Sequence, residues 1–461
     1  MLNKKINFSI LLLISVVLIT TGFGCAGTPK KLAEKIQPID LVYWRTTDDQ
    51  GDFENIINGF HAKYPHISIT YKLIRPEEYE QTLLEAWAED KGPDLFSIPN
   101  TWLRKYQTKI APLNIPDELS LARKVTTGTF KKETKVIEEK KKTPTLRELK
   151  EKYVDTVPKD VIIDNKLYGL PLSLDILVLY YNKELLNNAN IANPPADWQE
   201  FADDIRSLTF RDKDGNFIQS GAALGGIDNV ANLPDILSLL MLQKGMSMIN
   251  ESGQASFNQS ALDENGLSYF PGEDVLRFYT DFATPGKEIY CWNEKMPNSL
   301  DAFIQGKTAF LFGYSDFLPT IKEKAPKLNF DIIKAPQPQG SLKEVNLASY
   351  SIETISKKTA HPSESWAFLL YATEEANNKT FLEKTKHPTA IRSLIQFQLE
   401  DFDLAPFVKG VLTAQTWYRG NNYSLVEEAF KEMVKNVLTG TKEMKQALDY
   451  CVQKVNLTLQ K

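Results

Sequence analysis

The chain has 461 residues, of which 42% are hydrophobic and 25% charged, and a net charge of −5. That length exceeds what one hydrophobic core usually fills, so two lobes are expected, and the composition suits a globular protein with a substantial interior. The small negative charge provides no broad basic surface, which argues against DNA or RNA as a partner.

Lys4 and Lys5 precede an apolar run, Ile10 to Ile19, that is long enough for a signal-peptide core but short for a membrane span. Thr21-Gly22-Phe23-Gly24-Cys25 then resembles a bacterial lipoprotein cleavage site, with Gly22 and Phe23 departing from its usual aliphatic-then-small pattern. Residues 1–24 are expected as signal peptide, Cys25 as the lipid-bearing residue, and 25–37 as a lipid-anchored linker. Two or more acyl chains would hold such a protein stably at the membrane. Cys291 and Cys451 can pair in an exported protein, and the sequence does not decide whether they do.

Ile39–Trp44 reads as a first strand, followed by the polar cluster Arg45 to Gly51. Phe53, Ile56, Ile57, Phe60 and Tyr64 then recur at helical spacing. Ile67, Ile69 and Tyr71 alternate with polar residues as a second strand, Pro76 opens a second helix, and Asp94–Ile98 is a third strand. This alternation predicts an α/β lobe with largely parallel pairing. From about 115 to 159, lysines and glutamates interleave while apolar residues thin out, and a solvated helical insertion is expected there. A hairpin is expected over 161–168.

Tyr168–Leu186, YGLPLSLDILVLYYNKELL, changes character half-way. Its first half carries Gly169, Pro171, Ser173 and Asp175, which suits an exposed crossing segment; Ile176–Tyr181 is a buried strand, and Asn182 can cap a helix from Lys183. Asp197 with Glu200 resembles a capping box, as do Ser424 and Glu427 further on. Between them lie helices at Pro234–Leu242 and Val275–Phe282, a strand at Thr308–Phe312 ending in Gly313-Tyr314-Ser315, and strands at Leu328–Ile333 and Ser349–Ile355. A helix begins at Pro362, and the last one runs from about Glu443.

Catalytic patterns are weak. Gly313-Tyr314-Ser315-Asp316-Phe317 resembles half of a nucleophile elbow but lacks the second glycine that permits the strained turn. The histidines form no metal-binding pair or cluster, and no glycine motif cradles a phosphate, so neither metal nor cofactor is expected. Paired carboxylates suited to glycoside hydrolysis stay open, because their separation in space is not readable from sequence.

Five stretches in order, PDLFSIPNTWLRKY, YGLPLSLDILVLYYNKELL, PADWQEFADDI, GKTAFLFGYSDF and WYRGNNYSLVEEAF, resemble family 1 extracellular solute-binding proteins, the group that includes maltose-binding proteins. The resemblance implies an α/β, two-lobed periplasmic-binding-protein-like fold of type II. Strand crossovers near Asp175, Ser349 and Ala390 would join the lobes, with a ligand cleft between them. Residues 38–175 and 349–390 would form the N-terminal lobe, and 176–348 and 391–461 the C-terminal one. It further implies a monomeric, lipid-anchored receptor on the extracytoplasmic face of the cell membrane. Such a receptor would capture a small polar solute, an oligosaccharide-like carbohydrate, for the permease subunits of an ABC importer, and no bond would be broken. A receptor for a peptide, polyamine or organophosphate, a sensing or adhesion receptor, and an exported glycoside hydrolase or esterase are the rival readings.

Matched position by position, the resemblance assigns ligand contacts to Trp44, Arg45 and Asp48 after the first strand and to Asn100 and Trp102 after the third. Ser173 and Asp175 fall at the crossover, Tyr314 and Ser315 at the second lobe's strand end and Trp417 before the last helices, and Tyr350, an aromatic beside a turn, is a further candidate. These residues share a logic: ligands of open α/β sheets bind beyond the carboxyl ends of strands, flat rings stack on sugar faces, and carboxylates accept bonds from hydroxyls.

Overall fold

The alternation of the first strand sets the first lobe. In the computed structural model, which describes residues 36–127, 133–262 and 265–459, β1 (Ile39–Arg45) sends Tyr43 edge-on to Phe53 of α1 (Gln50–Lys63) at 5.6 Å. Asp49 closes a capping box with Asp52 at the start of α1. β2 (Ile67–Leu73), α2 (Pro76–Ala88) and β3 (Leu95–Pro99) follow, and β1 pairs in parallel with both β2 and β3, as the strand–helix–strand spacing predicts. The residues expected as signal peptide, and Cys25, lie outside the described residues.

The lysine-rich stretch departs from expectation. It is a long antiparallel ribbon of β4 (Glu118–Thr127) and β5 (Glu133–Lys142), not a helical insertion. Leu119 and Leu121, two residues apart on β4, are buried, and Glu139, opposite Leu121, accepts a hydrogen bond from Tyr64 at 3.1 Å. The period of two on β4 is a strand signal, and the charges of β5 conceal it. Helix is confined to Leu146–Lys152 and α3 (Thr156–Val161).

The hairpin expected next is present, Ile162–Ile163 against Lys166–Leu167. The apolar run after it splits into β6 (Asp175–Ile176) and β7 (Val178–Asn182). Asn182 caps the helix 183–188 by accepting from the N–H groups of Glu184 and Leu185 at 3.0 and 3.1 Å. Asp197 caps α4 (Trp198–Leu208), but Glu200 returns to the N–H of Ala196, not to that of Asp197, so the expected capping box is half closed.

β8 (Phe210–Arg211), β9 (Phe217–Ala222), β10 (Thr308–Gly313) and β11 (Phe330–Lys334) complete the second lobe's sheet, ordered β8-β9-β10-β7-β11, and the helix α5 (Leu233–Gln243) falls between β9 and β10 in the chain. Every residue of β10 is buried, in keeping with its place inside the sheet.

A third sheet joins the lobes. The strand predicted at 349–355 is two: β12 (Asn346–Ser349), antiparallel to β6, and β13 (Ser351–Ile355), which enters the first sheet beside β3 in the order β13-β3-β1-β2. After α6 (Pro362–Ala372), β14 (Ala414–Gln415) pairs in parallel with β12. The chain thus crosses at Asp175 and Ser349. Ala390, at the expected end of the first lobe's second segment, accepts the N–H of Val154 at 3.1 Å, and the helix 392–398 beyond it packs on the helices 146–152 and 375–385 and on the turn 405–408.

α7 (Tyr423–Leu438) and α8 (Met444–Leu459) pack on each other, and α7 also packs on α5. Asn422, not Ser424, caps α7, accepting from the N–H of Leu425 at 3.3 Å. Cys291 and Cys451 are free and buried, and burial pushes the Cys291 thiol up to about 12. Among the described residues no helix is long and apolar enough to cross a membrane.

Candidate functional site

Where the chain leaves β3, β10, β12 and β14 at their carboxyl ends, the following residues converge on a cavity of about 390 Å³ between the lobes. The first lobe contributes Asn100 and Trp102, and the second contributes Tyr314, Trp417, Tyr418 and Tyr423, so aromatic rings line it from both sides. Polar groups stand among the rings: Thr101, Ser349, Asp235 and Glu427. Rings beside hydrogen-bonding groups suit a ligand with both an apolar face and hydroxyls.

The rings are held in place from behind. Trp417 donates its Nε1 hydrogen to Ser238 at 2.9 Å and stacks on Phe430 at 6.1 Å. It also lines a second cavity of about 610 Å³, with Gln107 and Ile163 from the first lobe and Ile249 and Arg419 from the second. Tyr314 and Tyr423 donate to the two oxygens of Asp235 at 2.9 and 3.1 Å. Burial pushes the Asp235 carboxyl up, and these two hydroxyl bonds offset it only in part. Asn232, in the left-handed region at φ 59°, also lines the cavity, and its Nδ2 finds no partner among the described residues.

Four of the residues marked in the sequence meet at this cavity: Asn100, Trp102, Tyr314 and Trp417. The other seven do not line it. Trp44 is buried under the amine of Lys72, which lies 4.7 Å from its ring centre. Arg45 is 3% exposed and pairs with Asp48 at 2.8 Å and Glu353 at 3.2 Å, with its guanidinium over Phe53. Asp48 accepts from Arg45 and from His387 at 2.6 Å. Burial raises its carboxyl, but the His387 bond and the Arg45 charge outweigh that and hold it below the usual carboxylate range. The polar groups expected to meet a ligand here bind each other and do not line the cavity.

Asp175 likewise turns inward: its carboxylate accepts the N–H of Ser315 at 2.6 Å and that of Ile176 at 2.8 Å. Burial pushes it up to about 6. Ser173 is half-buried at the crossover. Tyr350 is buried and donates to Asp160 at 2.7 Å; Asp160 also accepts from Thr416 and pairs with Arg419 at 2.7 Å, tying α3 to the segment after β14.

Sequence reasoning missed Asp235, Tyr423 and Glu427. Asp235 follows Pro234 in the first turn of α5, where an acid reads as a helix-start residue, and Tyr423 and Glu427 lie in the first turns of α7.

The model of the bacterial extracellular solute-binding protein family matches residues 55–402. This chain belongs to that family. The solute-binding protein is 22% identical over 363 residues to the galactooligosaccharide-binding protein of Bacillus subtilis, covering 77% of this chain and 73% of that one. Among solved structures it resembles the cyclic alpha-maltosyl-1,6-maltose binding protein of Arthrobacter globiformis (TM-score 0.70, 17% identity, 92% of this chain and 99% of that one). It also resembles a cyclo/maltodextrin-binding protein complexed with maltotetraose (TM-score 0.69, 16% identity, 92% and 98%). At such identity the likeness shows the fold: the two-lobed, periplasmic-binding-protein-like arrangement of type II. A member of this family acts on the extracytoplasmic side of the membrane, and the family is one of binding proteins.

Proposed function

We propose that this solute-binding protein captures a carbohydrate of oligosaccharide size between its lobes and delivers it to the permease of an ABC importer. The observation that carries this reading is the cavity between the lobes, walled by rings from both and interspersed with hydrogen-bonding side chains. The sugars named for its relative and structural neighbours, galactooligosaccharide and maltotetraose among them, support the same class.

A solute that touches both lobes stabilises the closed form by its differential affinity, and closure is what a permease can recognise. Moving a population from 1:99 to 99:1 needs about 5.5 kcal/mol of such preference, within reach of a few charge-assisted hydrogen bonds and stacked rings. The N-terminal jaw comprises 38–175 with 349–398, and the C-terminal jaw 176–348 with 405–461, the last crossing falling in 399–404. The protein works as a monomer, tethered through lipid on Cys25, and catalyses no reaction. Asn100 and Trp102 meet the sugar from the first jaw, and Tyr314, Tyr423 and Trp417 from the second.

Titration calorimetry with neutral oligosaccharides of α- and β-linked glucose, galactose and mannose tests the reading. Saturable heat from at least one supports it. Heat from a peptide, a polyamine or a phosphate ester and from no sugar overturns it. Release of products from chromogenic glycosides would overturn the absence of catalysis.

A further inference from the structure

The charges around the main cavity are unevenly matched. Three other deeply set carboxylates near the lobe junction have a cationic partner, Asp48 and Glu353 in Arg45 and Asp160 in Arg419, while Asp175, which does not line the cavity, is held by the backbone N–H groups of Ser315 and Ile176. Asp235 has none; among the described residues its partners are the neutral hydroxyls of Tyr314 and Tyr423. Glu427, one turn into α7, stands at the open rim of the same cavity and is close enough for Asp235 to act on its charge. Among the described residues no lysine, arginine or histidine lines this cavity. The cations Arg104 and Arg419 line the adjoining one, and Lys431, one turn beyond Glu427, has its amine 3.9 Å from Asp228 and lowers the Glu427 carboxyl less than burial and Asp235 raise it.

We infer that the solute is an amino sugar glycan, whose protonated amine lies between Asp235 and Glu427 and against the faces of Tyr314 and Tyr423. The inference rests on the carbohydrate reading and narrows it. A half-buried carboxylate held only by neutral donors is costly when ionised, and a ligand cation supplies the missing charge. Burial raises the Asp235 carboxyl, as expected of an acid at a cavity wall with no cationic partner among the described residues. The aromatic faces favour a cation over a neutral group, and a uronate or sugar phosphate would meet two carboxylates with no cation in the wall. The first lobe offers only uncharged donors and acceptors here, Asn100 and Thr101 among them, so the second lobe selects the amine and the first closes over the hydroxyls.

The test is calorimetry at pH 6.5 with glycans of glucosamine and galactosamine, each against the same glycan bearing hydroxyl or N-acetyl in place of the amine. The amine form is expected to bind about tenfold tighter, the difference between a charge-assisted and a neutral hydrogen bond. Asp235→Asn and Glu427→Gln should each bring that ratio toward one. Glu427 is exposed, so its variant keeps the test valid should Asp235→Asn fold poorly. If neutral glycans bind and no amine form binds more tightly than its counterpart, the charge inference fails while the carbohydrate reading stands. A ratio that survives both substitutions also overturns it. Absence of heat from every glycan sinks both, including the case in which a linear polyamine binds.

Discussion

Replacing Asp175 by asparagine separates a structural role from a ligand contact. The carboxylate takes the N–H of Ser315 at 2.6 Å and that of Ile176 at 2.8 Å, at the point where the chain crosses between lobes. Burial lifts it from its ordinary 3.8 to about 6, and the hydrogen bonds from Ser315 and Ile176 only partly counter that. An acid whose folded value is raised binds more protons when folded than when unfolded between those two pH values. Its contribution to stability therefore grows as pH falls through about 6 and is complete below 3.8. At 1.36 kcal/mol per tenfold change in proton affinity, the interval amounts to at most about 3 kcal/mol, of which about 2 kcal/mol falls between pH 7.5 and pH 4.5. Urea unfolding of the ligand-free protein at both pH values should show the parent gaining about 2 kcal/mol relative to Asp175→Asn on acidification, whatever the variant's absolute stability. Sugar affinity should stay within about threefold, because Asp175 does not line the cavity. A flat difference between the two pH values, or a well-folded variant whose affinity falls tenfold or more, would refute the assignment.

Three further substitutions and measurements probe the same division between frame and site. Arg45→Met leaves Glu353 buried with only Tyr43 and Ser97 as donors and should cost about 3–5 kcal/mol in urea unfolding, with affinity retained by the folded fraction; loss of binding at unchanged midpoint argues the opposite. Trp102→Ala, at a half-buried ring on the first lobe's side of the cavity, should weaken sugar binding about tenfold while costing folding under about 2 kcal/mol, and an unchanged calorimetric Kd would remove Trp102 from the site. In protein beginning after Cys25, Cys291 and Cys451 should react with a thiol reagent only once unfolded, since both are buried and burial pushes each thiol up; labelling of the native protein at the unfolded rate contradicts the packing.

Much of the frame was legible because period and punctuation agreed. In the first lobe, Phe53, Ile56 and Phe60 share one buried helical face, Pro76 opens the next helix, and Ile67 and Ile69 bury alternate positions of β2. Where composition and period disagreed, composition misled. Lysines and glutamates between 131 and 142 suggested a helix, yet Leu119 and Leu121 already alternated, and the ribbon is fixed by contacts from afar, such as Tyr64 with Glu139. Nor does the local sequence after Ala390 reveal that the next helix, 392–398, packs on the helix 146–152.

The site divides along the same line, and the contrast between Asp48 and Asp235 explains why. Both are acids at an element boundary, one just after β1 and one in the first turn of α5. Sequence favours the first, because a polar loop at a strand's carboxyl end is the standard place for a ligand, whereas an acid after Pro234 is what any helix start would carry. What decides their fates lies elsewhere in the chain. Arg45 pairs with Asp48 and His387 hydrogen-bonds its other oxygen, while Tyr314 and Tyr423 reach Asp235 with hydroxyls alone. A carboxylate already paired with a cation has little left to give a solute; one held by neutral donors at a cavity wall retains both charge and access. Loop position is a property of the local sequence, but availability is a property of the partners that folding delivers, and only the second separates a ligand residue from part of the frame.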